Sequence, residues 1–134
     1  MSDIEKEPAG KLILQTIAMP ADANPGGDIF GGWILSQMDV SGGILAHEIA
    51  QGRVVTVAVE SMKFLKPVKI GDLVCCYGEL VKIGTTSITL KMEIWVKRTL
   101  LNDEAPSFLF KVTEANYIYV AVDSDGVKRP VKKG

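Results

Sequence analysis

The sequence predicts an α+β fold in which one long helix is wrapped by a five-stranded, mostly antiparallel sheet. Three observations predict it. The stretch from Asn24 to Ile49 runs from a glycine-rich turn into a long helical pattern. One short apolar run precedes it, and four runs of strand character joined by short turns follow it. The chain has 134 residues, enough for one domain with a real core and not for two. A helix and a sheet face of this kind bury against each other in two layers, and short turns predict that successive strands are antiparallel neighbours.

Residues 1–10 are polar and acidic and read as a tail. They lack the apolar stretch of a signal peptide, which places the expected location in the cytoplasm. Lys11 to Ala18 is the first strand, and Met19 to Asp28 is a loop. Within it Asn24, Pro25, Gly26 and Gly27 form a turn, since glycine admits positive φ and proline fixes its own. From Trp33 the pattern is helical, ending near Gln51 and Gly52 with the glycine as its C′ residue. Its apolar positions cover almost every face, which predicts a buried helix. It is too short and too interrupted to span a membrane. Val54 to Leu65 is the second strand, stopped by Pro67, and residues 69–72 turn the chain. Leu73 to Ile83 is the third. Ser87 to Arg98 alternates cleanly, with Ile88, Leu90, Met92, Ile94 and Val96 on one face. A polar loop over residues 99–106 leads to a long last strand over residues 107–122, stopped by D-S-D-G. Residues 128–134 form a basic tail. Trp95 and Tyr117 or Tyr119 fall on outward positions of this scheme, which favours a partner on the outer sheet face.

Bulk composition narrows the function. The formal net charge is −1, so there is no excess of positive charge for nucleic acid. Hydrophobic residues make up 47% and the mean hydropathy is +0.20. That surplus predicts a subunit interface. The two cysteines, Cys75 and Cys76, are adjacent on a strand and so point to opposite faces. They form neither a metal pair nor a disulfide and read as core thiols. With the single histidine His47, no protein-built zinc site is expected.

The helix carries costs that cluster. Asp39 sits midway along an apolar helix, with Gly42 and Gly43 on the same face one turn on. Glycine inside a helix costs about 1 kcal/mol against alanine. An ionised carboxylate in an apolar setting costs several kcal/mol unless it is paired. Either the glycines let two backbones approach and Asp39 caps a neighbouring group, or the cluster is a functional site.

The motifs N-x-x-G-D-I-F-G-G-W-I-L-S-Q-M-D, V-V-T-V-A-V-E-S-M-K-F-L-K-P-V-K-I-G-D and V-x-x-Y-G-x-L-V-K-I-G stand in that order. Over residues 11–127 the chain resembles the hot-dog-fold acyl-CoA thioesterases, closest to the YciA-type bacterial enzymes. The resemblance implies a single hot-dog domain over those residues. It implies hydrolysis of acyl-CoA to free acid and CoA by paired subunits, without a metal or cofactor. By residue-to-residue match it implies Asp39 as the catalytic acid-base group, backbone N–H donors at Gly31 and Gly32, and Asn24 as the loop asparagine. It also implies a homo-oligomer, at least a dimer and by family a trimer of dimers.

Thioester hydrolysis fits these residues chemically. A helix start offers free N–H groups at the positive end of the dipole. Glycines there let a carbonyl oxygen approach, and such donors are worth roughly 3–4 kcal/mol in acyl transfer. Asp39 would be the base or the nucleophile. Asn24 would orient water or the carbonyl, or is simply a turn residue. Asp39 lies seven residues beyond Gly32, about 10 Å along the axis. One reacting carbonyl cannot touch both ends, so the site pairs the helix start of one subunit with Asp39 of another. Gly42 and Gly43 would then clear space for substrate or partner.

Two rival classes stand beside this reading. A hot-dog hydratase or dehydratase works with a His and Asp pair, yet His47 lies about 12 Å beyond Asp39 on the same helix. It reads as a polar residue near the helix end. A non-catalytic acyl-CoA binding module gains nothing from a buried base. For the CoA phosphates the candidate cations are Arg53, Lys63, Lys66 and Arg98, and no phosphate loop is present. Met38, Met62 and Phe64 are candidate walls of the acyl tunnel, or plain core.

Overall fold

The computed structural model describes residues 7–98 and 109–131. Its elements run β1 (Lys11–Ile17), α1 (Gly31–Ala50), β2 (Val54–Phe64), β3 (Leu73–Ile83), β4 (Ser87–Lys97) and β5 (Leu109–Ala121). A 3₁₀ turn (Pro20–Asp22) lies between β1 and α1. The expected start of the last strand at residues 107 and 108 lies outside the described residues, as do residues 1–6 and 132–134 of the two tails and the polar loop at 99–106.

The five strands form one antiparallel sheet in the order β1-β3-β4-β5-β2. This corrects the expectation that each strand pairs with its successor. β2 is not beside β3 but at the opposite edge, where Val54 faces Ala121 and Phe64 faces Thr113 of β5. The reason lies in the connection after β2. It is not closed on itself as a hairpin but bonded to other segments. Leu65 N–H donates to Val112 C=O, Ile29 N–H to Val68 C=O, and Ala18 N–H to Asp72 C=O. Those bonds carry the chain from one edge of the sheet to the other. The β3–β4 hairpin does behave as a tight turn, with Ile83 facing Ile88.

Alternation in β4 sets the core. Ile88, Leu90, Met92, Ile94 and Val96 are all fully buried, against Ile34, Met38, Leu45, Ala46 and Ala50 of α1. Burying each large aliphatic side chain contributes about 1.5–3 kcal/mol, which outweighs the glycines inside the helix. Cys76 belongs to this inner cluster, whereas Cys75 accepts a hydrogen bond from Gln15 Nε2 at 3.4 Å. The two thiols therefore point to opposite faces, as strand geometry requires.

Two further expectations are corrected. The helix is not buried all round: Val40 is 53% and Ile44 43% exposed. In a single chain the sheet covers only one side of α1, so an apolar strip stays open. The helix closes on Gln51, which is left-handed (φ 55) and whose N–H bonds His47 C=O, and Gly52 follows as the C′ residue. Tyr117 and Tyr119 do not face outward. Both point inward and their hydroxyls donate to the α1 backbone, Tyr117 to Leu35 C=O at 2.9 Å and Tyr119 to Asp39 C=O at 3.0 Å. Trp95 alternates with the inner Ile94 and Val96 but is fully buried, with Nε1 donating to Glu93 Oε1 at 2.8 Å. It offers no open surface to a partner.

The chain ends described here touch the body. Ala9 N–H donates to Glu93 Oε1 at 3.2 Å. Arg129 donates to Val122 C=O and Ala50 C=O, and Val131 N–H to Thr85 C=O. Among the described residues no helix is long and apolar enough to cross a membrane.

Candidate active site

The loop before α1 is held by its own asparagine. Asn24 Oδ1 accepts the N–H groups of Gly26 at 2.9 Å and Asp28 at 3.2 Å. Gly27 closes the turn at φ 95, a conformation that favours glycine. The carbonyl oxygen of Asn24 is thus committed to the loop, and its NH2 group is left for other partners.

Among the described residues no side chain caps the start of α1. The first helical bonds run from Trp33 and Ile34 N–H to Phe30 C=O. The N–H groups of Gly31 and Gly32 precede them and are the orphan donors of the first turn. A Cβ on Gly32 would meet nothing within 4 Å, and one on Gly31 would rest 3.4 Å from the Phe64 ring. This end of the helix opens on a cleft of about 390 Å³ lined by Asn24, Asp28, Gly31, Ile34, Phe64 and Lys66, among others.

Asp39 opens elsewhere. It lines a separate cleft of about 250 Å³ with Leu35, Ser36, Thr56, Val59 and Tyr117. Its Oδ1 accepts the Thr56 hydroxyl at 2.7 Å and the Tyr119 hydroxyl at 3.0 Å. Burial first, and then the charge of Asp39, push the Tyr117 and Tyr119 phenols well above the ordinary tyrosine range. Both remain neutral donors. Their rings stack with centroids 6.3 Å apart.

Sequence reasoning named Asp39 but missed Thr56 and Tyr119. Thr56 sits in a β-branched run and reads as strand filler, and nothing local separates Tyr119 from Tyr117. The available signal was Gly42, one turn beyond Asp39. At Gly42 the clearance admits a side chain of the same protein. A Cβ on Gly42 would lie 2.4 Å from the Tyr119 hydroxyl. Gly42 is the gap through which Tyr119 reaches Asp39.

The candidate cations part company. Arg98 clamps the buried Asp72 with Nε at 2.9 Å and Nη2 at 3.0 Å, and stacks on Phe110. Arg53 donates to Ser124 C=O at the far end of α1, and Lys63 lies 3.9 Å from Glu114. Lys66 alone of the four lines the cleft at the helix start, its ammonium 5.4 Å from the Phe110 ring centre. Of the candidate tunnel walls, Phe64 lines that cleft, Met38 is fully buried core, and Met62 packs on the core and accepts the Thr113 hydroxyl. His47 is exposed in the last turn of α1. Among the described residues no group of three or more His, Cys, Asp or Glu converges as a metal-holding cluster.

Comparison with known proteins agrees with this fold. The thioesterase superfamily profile matches residues 26–101. The acyl-CoA thioester hydrolase YciA of Salmonella typhimurium is 57% identical over 98% of this chain and 97% of its own. The hexameric thioesterase of Yersinia pestis superposes with a TM-score of 0.89 at 53% identity, over 95% of this chain and 100% of that one. A hexameric hotdog fold thioesterase of Campylobacter jejuni gives 0.86 at 42% identity, over 92% of this chain and 91% of that one. With its single long helix on a five-stranded antiparallel sheet, and this likeness along nearly its whole length, the chain belongs to the thioesterase superfamily of hot-dog proteins.

Proposed function

We propose that the chain hydrolyses acyl-CoA thioesters to a free acid and CoA, with Asp39 as general base and the Gly31 and Gly32 N–H groups as the oxyanion hole. The observation that carries this reading is the pair of complementary half-sites on α1. An uncapped helix start opens on one cleft, and a hydroxyl-held carboxylate opens on another. The near-full-length likeness to a YciA thioester hydrolase supports the same substrate class.

The carbonyl oxygen of the thioester rests on the helix-start N–H groups. Water attacks the carbonyl carbon and gives its proton to Asp39, while negative charge gathers on the oxygen facing the donors. The tetrahedral centre collapses, the C–S bond breaks, and the departing CoA sulfur takes the proton back from Asp39. The acid leaves from the acyl side. Lys66 beside the helix-start cleft is the cation best placed for the CoA phosphates. CoA enters as part of the substrate, and the reaction calls on no metal or cofactor, so turnover is expected to survive dialysis against a chelator.

The half-sites come from two subunits in this reading. Gly32 and Asp39 are about 10 Å apart along one helix, and they line separate clefts. The surface beside Asp39 carries exposed apolar side chains, Val40 and Ile44 on α1 and Val59 on the edge strand β2, which lines the same cleft. A second copy seated there would bring its own helix start to Asp39 and cover that surface. Two hexameric relatives fit a trimer of such dimers.

Thiol release from acyl-CoA, followed with a thiol reagent across chain lengths, tests the reaction. Turnover with released thiol is expected. Hydration of an enoyl-CoA without thiol release would assign a hydratase instead, and binding without either would assign a carrier. Light scattering tests the assembly, and a fully active monomer would remove the shared site.

A further inference from the structure

We propose that Tyr119 is the positioning residue that aims the Asp39 carboxylate, with Gly42 providing its access, and that Asp39 Oδ2 is the oxygen that takes the proton. The proposal rests on the reading of Asp39 as general base. Its geometry is independent of that reading. Both hydroxyl donors converge on one oxygen: Thr56 reaches Oδ1 at 2.7 Å from β2, and Tyr119 at 3.0 Å from β5. The Tyr119 hydroxyl lies equally close to the Asp39 backbone carbonyl, also at 3.0 Å. A single phenol proton is therefore shared between the main chain and the side chain of one residue. This fixes χ1 of Asp39 as well as its carboxylate plane. Oδ1 is occupied on both sides, and Oδ2, without a hydrogen-bond partner among the described residues, remains for water.

The phenol reaches that point only because position 42 has no side chain. A Cβ there would lie 2.4 Å from the hydroxyl and 3.2 Å from the ring carbon that carries it. A mid-helix glycine, unfavourable for the helix itself, is thereby explained. Tyr119 is 1% exposed, so its hydroxyl is shielded from water and its bond to Asp39 is not readily replaced by solvent.

The test is a cycle of Tyr119→Phe, Gly42→Ala and the double variant, with Asp39→Asn as reference. Tyr119→Phe keeps the ring and its packing. Its kcat is expected to fall roughly 10-fold, the scale of one hydrogen bond to a charged group, with KM for acyl-CoA unchanged. A merely structural role would instead lower the thermal midpoint without this split between kcat and KM. The groups facing Asp39 are Thr56 of β2, Tyr117 and Tyr119 of β5 and, behind Tyr117, the Cys76 thiol of β3. Burial is the main influence that holds the phenols and that thiol in their protonated forms. Gly42→Ala is expected to copy the same changes and to add little on top of Tyr119→Phe, because the severe contact with the hydroxyl is gone and the ring, at 3.2 Å, has only a small shift left to make. Wild-type kcat in Tyr119→Phe, beside an inactive Asp39→Asn, would overturn the positioning role. An active Asp39→Asn would instead overturn the general-base reading. Should Gly42→Ala fail to fold, Tyr119→Phe alone decides.

Discussion

Thr56 donates its hydroxyl to Asp39 Oδ1 at 2.7 Å and so ties the middle of α1 to the edge strand β2. The bond joins the two elements that carry the open apolar surface beside Asp39. A shift of β2 would therefore be felt at the carboxylate.

Asp39→Asn keeps the shape and the hydrogen bonds but accepts no proton. Its kcat is expected to fall by ~10²–10⁴-fold, with KM little changed. Thr56→Val removes one donor and keeps the β-branched shape, and its kcat is expected to fall about 10-fold. Steady-state kinetics beside the thermal midpoint checks both. Full turnover in Asp39→Asn would remove Asp39 from the chemistry.

Gly32→Val is expected to lose turnover while keeping its thermal midpoint, because a Cβ at that position meets nothing within 4 Å in its own chain. The branched side chain would crowd the carbonyl oxygen at the donors. Mixing Asp39→Asn with Gly32→Val chains then tests the shared site. A mixed dimer holds one site with both defects and one with neither, so up to about half of the activity per mixed dimer is expected to return. Exchange without recovery would place the whole site in one chain.

Arg98 and Lys66 are expected to separate stability from substrate binding. Arg98→Met leaves the buried Asp72 carboxylate with the Lys69 N–H as its remaining partner. The expected loss is about 2–3 kcal/mol, less than for a fully buried pair because the guanidinium is partly exposed. The urea midpoint measures it. Lys66→Ala is expected to raise KM for acyl-CoA a few-fold at unchanged stability. A raised KM without destabilisation in Arg98→Met would assign Arg98 to CoA instead.

The cysteines are expected to be silent in a thiol-release assay on the folded protein. Cys75 and Cys76 are both fully buried. Burial is the main influence on the Cys76 thiol, pushing it up to about 11 against an opposing hydrogen bond to Ser41. The reactive thiolate is thus scarce at assay pH. Its protonated state persists at every pH below that value and yields only above it. Titration with a thiol reagent is expected to count no protein thiol before denaturation and two after.

The sequence by itself determined the elements and one pole of the chemistry. Local periodicity marked β4 as a strand whose alternate residues fill the core, because side-chain direction follows directly from the strand period. The helix with Asp39 and the glycines at its start were equally legible, as isolated costs that an ordinary helix would avoid. Tertiary structure decided what depends on residues far apart in the chain. It sent β2 to the edge beside β5, because Leu65 bonds Val112 and Val68 bonds Ile29 rather than closing a hairpin. It turned Tyr119 inward, 80 residues beyond Asp39, and gave Gly42 its use. It committed Arg98 to Asp72 and left Lys66 at the cleft. The physical reason is common to all of these. Periodicity reports which way a side chain points from its own backbone, whereas strand order, register and packing depth select what it meets there.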